Sequence, residues 1–298
     1  AGQTGDASKQ DHFFFLHSFL WAFAPWSILV YLYIATRIKN IIRRELDWLT
    51  ISTFVVMLLL VSFSGFKLPH YLNIIFPVAS VMAAVYIVSA HPVAIGSPGK
   101  WIRPVFIIQL LISALLLLAA AVINTWVFPL KYIPLAVGPV LLLAIVSYFL
   151  KSNMYSLLER AVLVTVAVMI VFFFLMNAHF YPQLLKYQGG NVLAFKTAGK
   201  IDPADVYFWK NTFSSSFNFY TQTLYKPFAD SVLQPGRAGR KIWLAYDIRD
   251  EEEIKKLYNI GQRFETLDYE ITKIDIKFLN PEKRDKQCSK MVLGEISK

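Results

Sequence analysis

Between two long apolar stretches lies Ser64-Gly65-Phe66-Lys67-Leu68-Pro69-His70-Tyr71, where a lysine, a histidine and a tyrosine fall within a few residues around a proline. Lys67 offers a compact positive charge with several donors, Tyr71 a hydroxyl and His70 a titratable donor. Such a set at a lipid–water boundary suits a phosphate carried on a lipid. The same residue types also edge membranes without any ligand, as snorkelling lysine and interfacial tyrosine, and spacing alone does not choose between the two. The remaining polar candidates read as structural. His12 and His17 flank the start of the first apolar stretch, and Asn177 and His179 lie near the end of the last, where interfacial or helix-packing roles are expected. Gln109 and Asn124 are placed to hydrogen-bond between helices, and His91 falls in a solvated Pro/Gly-rich loop. Trp21, Trp26, Tyr31 and Tyr33 look like packing and belt residues.

The elements that must hold these groups follow from composition. Of 298 residues, 56% are hydrophobic, 15% aromatic and only 17% charged, with a net charge of +10. Average soluble domains carry about 45–50% apolar and about 25% charged residues, so an ordinary globular fold is excluded. The charges are also partitioned, because 34 of the 50 follow position 180. One chain therefore joins a membrane-like part to a soluble-like part. Disorder, a collagen-like repeat and a disulfide scaffold are excluded too, and a lone Cys288 cannot form an internal bridge.

Six stretches lack Asp, Glu, Lys and Arg: Phe13–Thr36, Trp48–Phe66, Leu68–Ile95, Pro104–Leu130, Tyr132–Leu150 and Ala161–Leu185. Each contains a window of roughly 20 residues, the length a helix needs to cross the hydrocarbon core, so six transmembrane helices over 13–180 are expected. Pro25, Pro77, Pro134 and Pro139 are candidate kinks. Arg37, Lys39, Arg43, Arg44, Lys100, Arg103, Lys151 and Arg160 fall on one side; Lys9, Lys67 and Lys131 fall on the other. The positive-inside rule places the richer side in the cytoplasm, and the N-terminus and everything after the sixth span outside. Residues 1–12 are polar, without an initiator Met or a signal peptide, and are expected to be the remnant of an extracytoplasmic loop. No charged residue lies inside any span, which disfavours ion-coupled transport and sends any chemistry to the outer boundary.

From Tyr181 the pattern is that of a small α/β domain over 181–298. A helical stretch around Gln183–Lys200, interrupted at Gly189-Gly190, leads out of the membrane. Val206–Trp209 reads as a short buried strand and Phe217–Leu224 as a helix. Ile242–Tyr246 (IWLAY) reads as a central strand ending at Asp247. Asp250 with Glu253 marks a helix start, and Gly261 its stop. Ile274, Ile276 and Phe278 alternate as in a half-buried strand, with Met291–Leu293 as its partner. No phosphate loop, metal-spaced His/Cys cluster or nucleophile elbow is present in this tail. Asp247 reads first as a turn or capping residue, and net basicity is compatible with anionic head groups or with a solvated surface.

The segment Ser64–Pro77, SGFKLPHYLNIIFP, resembles the Ser-x-x-Lys-Leu-Pro-x-Tyr segment of bacterial polytopic glycosyltransferases of the GT-C fold. These are the aminoarabinose transferases acting on lipid A and the related protein O-mannosyltransferase superfamily. His12–Ser27, HFFFLHSFLWAFAPWS, resembles their loop-to-helix segment ending in Pro-Trp-Ser, and Tyr181–Gly189, YPQLLKYQG, the junction after their last span. The order of the three matches corresponds to the C-terminal half of that architecture. The resemblance implies transfer of a sugar from a polyprenyl-phosphate carrier to a lipid A, protein or glycan acceptor at the periplasmic face of the bacterial inner membrane, without a nucleotide-sugar donor. Lys67 and Tyr71 would then sit at the donor phosphate and sugar, while His70 occupies a variable position and takes no role. The catalytic acids of the family lie in its first outer loop; Asp6 and Asp11 match no such motif. The general base is thus expected outside this chain, which by itself should be inactive. No cofactor is assignable, a divalent metal is compatible, membrane lipids are expected partners and nucleic acid is not. The rival reading is a non-catalytic membrane anchor presenting a binding domain to a cell-envelope partner.

Overall fold

The computed structural model describes residues 13–39, 48–64, 68–89, 102–151, 157–210, 212–233 and 241–297. The expected loop remnant, His12, Lys67, His91, Arg43, Arg44 and Lys100 lie outside them. The chain divides into two compact units, one made of residues 2–120 and 132–174, the other mainly of 121–131 and 175–298. The whole is mostly helical with one small mixed sheet.

In the helical unit, α1 (Phe14–Ala22), α2 (Ser27–Lys39), α3 (Trp48–Ser62) and α4 (Phe76–Ser89) close around one core. Phe15, Phe19, Leu29, Tyr33, Phe54 and Met82 fill it. Ser27 donates to the Leu20 carbonyl at 2.7 Å and Tyr31 to that of Leu16 at 2.8 Å, tying α2 back onto α1. Next come α5 (Ile102–Val122), α6 (Pro134–Lys151) and α7 (Leu157–Leu175). Phe106 and Leu110 of α5 pack on Ala161 and Val162 of α7, and Ser113 meets Thr165 hydroxyl to hydroxyl at 3.2 Å. Small residues at such a contact let two helices approach closely.

Of the six expected spans, two are found among the described residues. Among the described residues, only Arg103–Val127 and Glu159–Tyr187 are long and apolar enough to cross a bilayer. Ser27–Ile38, Trp48–Ser62, Phe76–Ser89 and Pro134–Tyr148 are apolar but shorter. At about 1.5 Å per residue, a 15-residue helix is about 22 Å long, short of a hydrocarbon core of about 30 Å. Runs free of charge overstate helix length because backbone breaks carry no charge. The first run is cut at 23–26 around Pro25, which has no N–H to give. The third begins as a 3-10 turn, Pro69–Ile74, before α4 starts. Much apolar surface faces outward on both long helices, as at Leu111, Leu115, Leu118, Ile170 and Phe173, and lipid is the solvent that suits it.

The sheet unit opens with two π turns, Ile123–Val127 and Met176–Phe180. The one-turn helix α8 (Tyr181–Leu184) and a 3-10 turn (Leu185–Tyr187) lead to α9 (Gly189–Thr197). The helical break therefore falls at Gln188, and Gly189-Gly190 start the next helix. A Cβ on Gly190 would sit 1.7 Å from the Ser214 hydroxyl, so only glycine allows α9 to approach that loop. Then follow β1 (Val206–Phe208), α10 (Ser215–Thr221), β2 (Ile242–Asp247), α11 (Glu251–Leu257), β3 (Asn259–Asp268), the short helices α12 (Ile276–Leu279) and α13 (Arg284–Gln287), and β4 (Ser289–Ser297). Strand order is β1-β2-β4-β3; β1 and β2 are parallel, and β4 is antiparallel to both its neighbours.

IWLAY forms the central strand because both of its faces are covered. Trp243 and Ala245 join Leu193, Phe208 and Phe217 on one side, and Ile242, Leu244 and Tyr246 join Ile254 and Tyr258 on the other. Two readings of this region are corrected. Gly261 does not end α11, which stops at Leu257; it lies in β3, at the register shift between Ile260 and Arg263. Ile274–Phe278 is not a strand. Asp275 accepts the Phe278 N–H at 2.7 Å and starts α12, leaving Ile276 86% exposed and Phe278 buried. The partners of Met291–Leu293 are β2 and β3 instead.

Candidate functional site

The turn at Leu68–Ile75 is built by its proline and its apolar anchors. Leu68 is extended and Pro69 takes the first position of the 3-10 turn, where a missing N–H costs nothing. Leu72 and Ile75 are fully buried in the four-helix core and hold the turn in place. The Tyr71 N–H donates to the Leu68 carbonyl at 3.0 Å. Tyr71 is half-buried, its ring stacked near Phe15 at 6.4 Å and 27°, with the exposed His70 edge-on at 4.9 Å and 84°. Among the described residues the Tyr71 hydroxyl has no hydrogen-bond partner. The structure thus brings Tyr71, His70 and Phe15 together, while Lys67, with Gly65 and Phe66, lies outside the described residues.

The other polar candidates divide. His179 is buried and its Nδ1 meets Asn124 Oδ1 at 2.8 Å, linking the two π turns. It is a packing group, as its position suggests. Gln109 is also buried, but both of its amide atoms lack a partner among the described residues, which do not show the expected interhelical bond. Asp247 is a turn residue: its carboxylate accepts the Arg249 backbone N–H at 2.9 Å and the Arg249 guanidinium at 2.8 Å through both oxygens. Burial works to raise its pKa, but hydrogen bonds from Arg249 and Ser289 outweigh that and hold it below the ordinary carboxylate value.

One residue that sequence reasoning passed over is Arg284. It is 7% exposed and has no carboxylate partner among the described residues. Its guanidinium lies 3.9 Å from the Phe128 ring centre and donates to the carbonyls of Phe278 and Val127. Tyr187 and Phe278 complete an aromatic surround. The cation fastens α13 to the end of the first long helix. Beside it, the Cys288 thiol donates to the Arg284 carbonyl at 3.3 Å, and burial pushes its pKa up to about 11.

Neither family models nor curated proteins match this chain. Solved structures do. The chain is similar to ArnT from Cupriavidus metallidurans in the apo state, with a TM-score of 0.54 and 15% identity over 95% of this chain and 52% of that one. The same protein bound to undecaprenyl phosphate gives a TM-score of 0.54 and 15% identity over 94% of this chain. This chain spans about half the length of those structures. At this identity the likeness is one of fold, and it agrees with the resemblance to GT-C glycosyltransferases carried by Ser64–Pro77.

Proposed function

We propose that this chain is the donor-binding portion of a polyprenyl-phosphate-dependent glycosyltransferase, multi-pass in a bacterial inner membrane, with the sheet unit on the periplasmic side. The observation that carries this is the likeness over nearly the whole chain to a structure determined with undecaprenyl phosphate bound. The Lys-Leu-Pro-His-Tyr turn supports it with groups of the right chemistry: an ammonium for the phosphate and a tyrosine hydroxyl for phosphate or sugar. In this reading Lys67 and Tyr71 hold the donor, and Phe15 fixes the ring of Tyr71. The acceptor is lipid A, a protein or another glycan. Deprotonating it needs a carboxylate within hydrogen-bond reach. Asp6 and Asp11, the acids before the first apolar stretch, match no catalytic motif of the family, so donor binding is the first property to test on this chain.

Undecaprenyl phosphate should bind the chain reconstituted in phospholipid nanodiscs, as read by native mass spectrometry. Lys67→Ala and Tyr71→Phe should each weaken binding, the lysine more, by about tenfold or beyond for loss of a charge-assisted contact. Binding unchanged in both variants would overturn the donor site and leave the anchored binding domain as the better reading.

A further inference from the structure

The sheet unit contains a cleft of about 580 Å³ at the carboxyl ends of the parallel strands β1 and β2. That volume falls within the range of about 300–1,000 Å³ typical of small-molecule sites. In α/β sheets this edge collects ligands because loops and helix starts converge on it. Position alone is weak evidence, so the chemistry of the walls must decide.

The carboxylates of the cleft are fixed from behind. Asp268 ends β3 and accepts the Gly189 N–H at 2.7 Å. Ser289 of β4 lies opposite Asp268 in register, and Asp247 at the end of β2 lies opposite Met291, two residues further along β4. Asp247 and Asp268 thus end the two strands that flank β4, and the bonds from Arg249 and Gly189 hold the two carboxylates in set orientations. Asp250 adds an acceptor and makes no capping hydrogen bond of its own. Across from them, Thr212 and Ser215 supply hydroxyls that both donate and accept, and Tyr269 adds ring surface.

Closely spaced acceptors and hydroxyls around a partly aromatic wall match a polyol with an apolar ring face. They do not match an anion. Both cations in the lining are already engaged, Lys210 with Glu253 and Arg249 with Asp247. Nor do they match a metal ion, because no group of three potential ligands converges among the described residues. We propose that this cleft binds a saccharide without negative charge, its hydroxyls donating to Asp250 and Asp268 and accepting from the Thr212 and Ser215 hydroxyls. This site lies in a different unit from the Tyr71 turn, and its occupancy requires no sugar transfer.

The test is saturation-transfer NMR on the full chain in nanodiscs of phosphatidylethanolamine and phosphatidylglycerol. Alkyl-glycoside detergents are avoided, since their head groups are themselves candidate ligands. Lactose and diacetylchitobiose serve as neutral probes, glucuronate as the acidic probe and a short oligolysine as the competitor. A neutral disaccharide should bind saturably and glucuronate at least tenfold more weakly. Asp250→Asn and Ser215→Ala should each weaken the neutral probe at least fivefold while leaving the melting temperature unchanged. The proposal is overturned if neither neutral probe saturates, if glucuronate binds as well as they do, if both variants bind like the parent, or if oligolysine displaces the sugar and so marks the cleft as a basic-peptide site.

Discussion

The two units bury alike and expose differently. In the helical unit, large apolar side chains stand outside, with Leu49 80%, Phe63 79% and Ile133 76% exposed, while Gln109, Ser113 and Thr165 are shut inside. In the sheet unit, Leu244, Tyr246 and Val292 are wholly enclosed, and charge covers the rim through pairs such as Lys241–Glu295 and Lys290–Glu265. Both follow one rule, that each surface is matched to its solvent. Only the solvent differs, hydrocarbon in one case and water in the other. Exposure of a leucine therefore carries a different energetic meaning in each unit.

The sharpest way to break this contrast is a matched pair of leucine truncations. Leu244→Ala, in the doubly covered strand, should destabilise the sheet unit by about 3 kcal/mol, read as urea unfolding by near-ultraviolet circular dichroism. Leu115→Ala, 64% exposed on α5, should stay within about 0.5 kcal/mol in lipid. Equal costs would sink the two-solvent account. Next comes Arg284→Met, which keeps bulk but strands the Val127 and Phe278 carbonyls; about 2 kcal/mol should be lost in the same assay. A smaller change of opposite sign is expected for Gln109→Leu. Its amide makes no bond among the described residues, so removing it should raise stability by about 1 kcal/mol.

The smallest effect concerns pH. Asp268 is pushed up by burial, which outweighs the hydrogen bond from Gly189, with the Asp247 charge adding to the rise. A carboxyl whose folded pKa is raised binds more protons folded than unfolded, so its contribution to stability falls as pH rises from its ordinary value through the folded one. Asp247, held low, contributes in the reverse sense and loses stability as pH drops. Asp268→Asn should therefore flatten the fall on the alkaline side of that window, whereas Asp247→Asn should flatten the fall on the acid side. Melting curves between pH 3 and pH 7 distinguish the two; identical profiles would contradict both assignments.

How far the fold could be read in advance depended on which interactions leave a mark in side-chain type. IWLAY was legible because burial on both faces demands an unbroken apolar run. β3 was not, because an edge strand carrying Arg263, Glu265 and Asp268 has an exposed face, and Gly261 at its register shift imitates a helix stop. Absence of charge reports solvent preference and not helical continuity, so the run Phe13–Thr36 did not show its break at 23–26. The Tyr71 turn was legible through Pro69, whose chemistry is local. Arg284 was not, because its partners include a backbone carbonyl 157 positions away, and backbone carbonyls look alike in every residue.

Cys288 has a practical consequence. As the sole cysteine, with a thiol pushed up to about 11 and engaged by the Arg284 carbonyl, it offers almost no thiolate at neutral pH. Maleimide reagents should pass it by, so the wild-type background already serves for single-cysteine scanning. A cysteine placed at His70, beside Tyr71, should then report by its labelling from either side of sealed vesicles which aqueous compartment that turn faces.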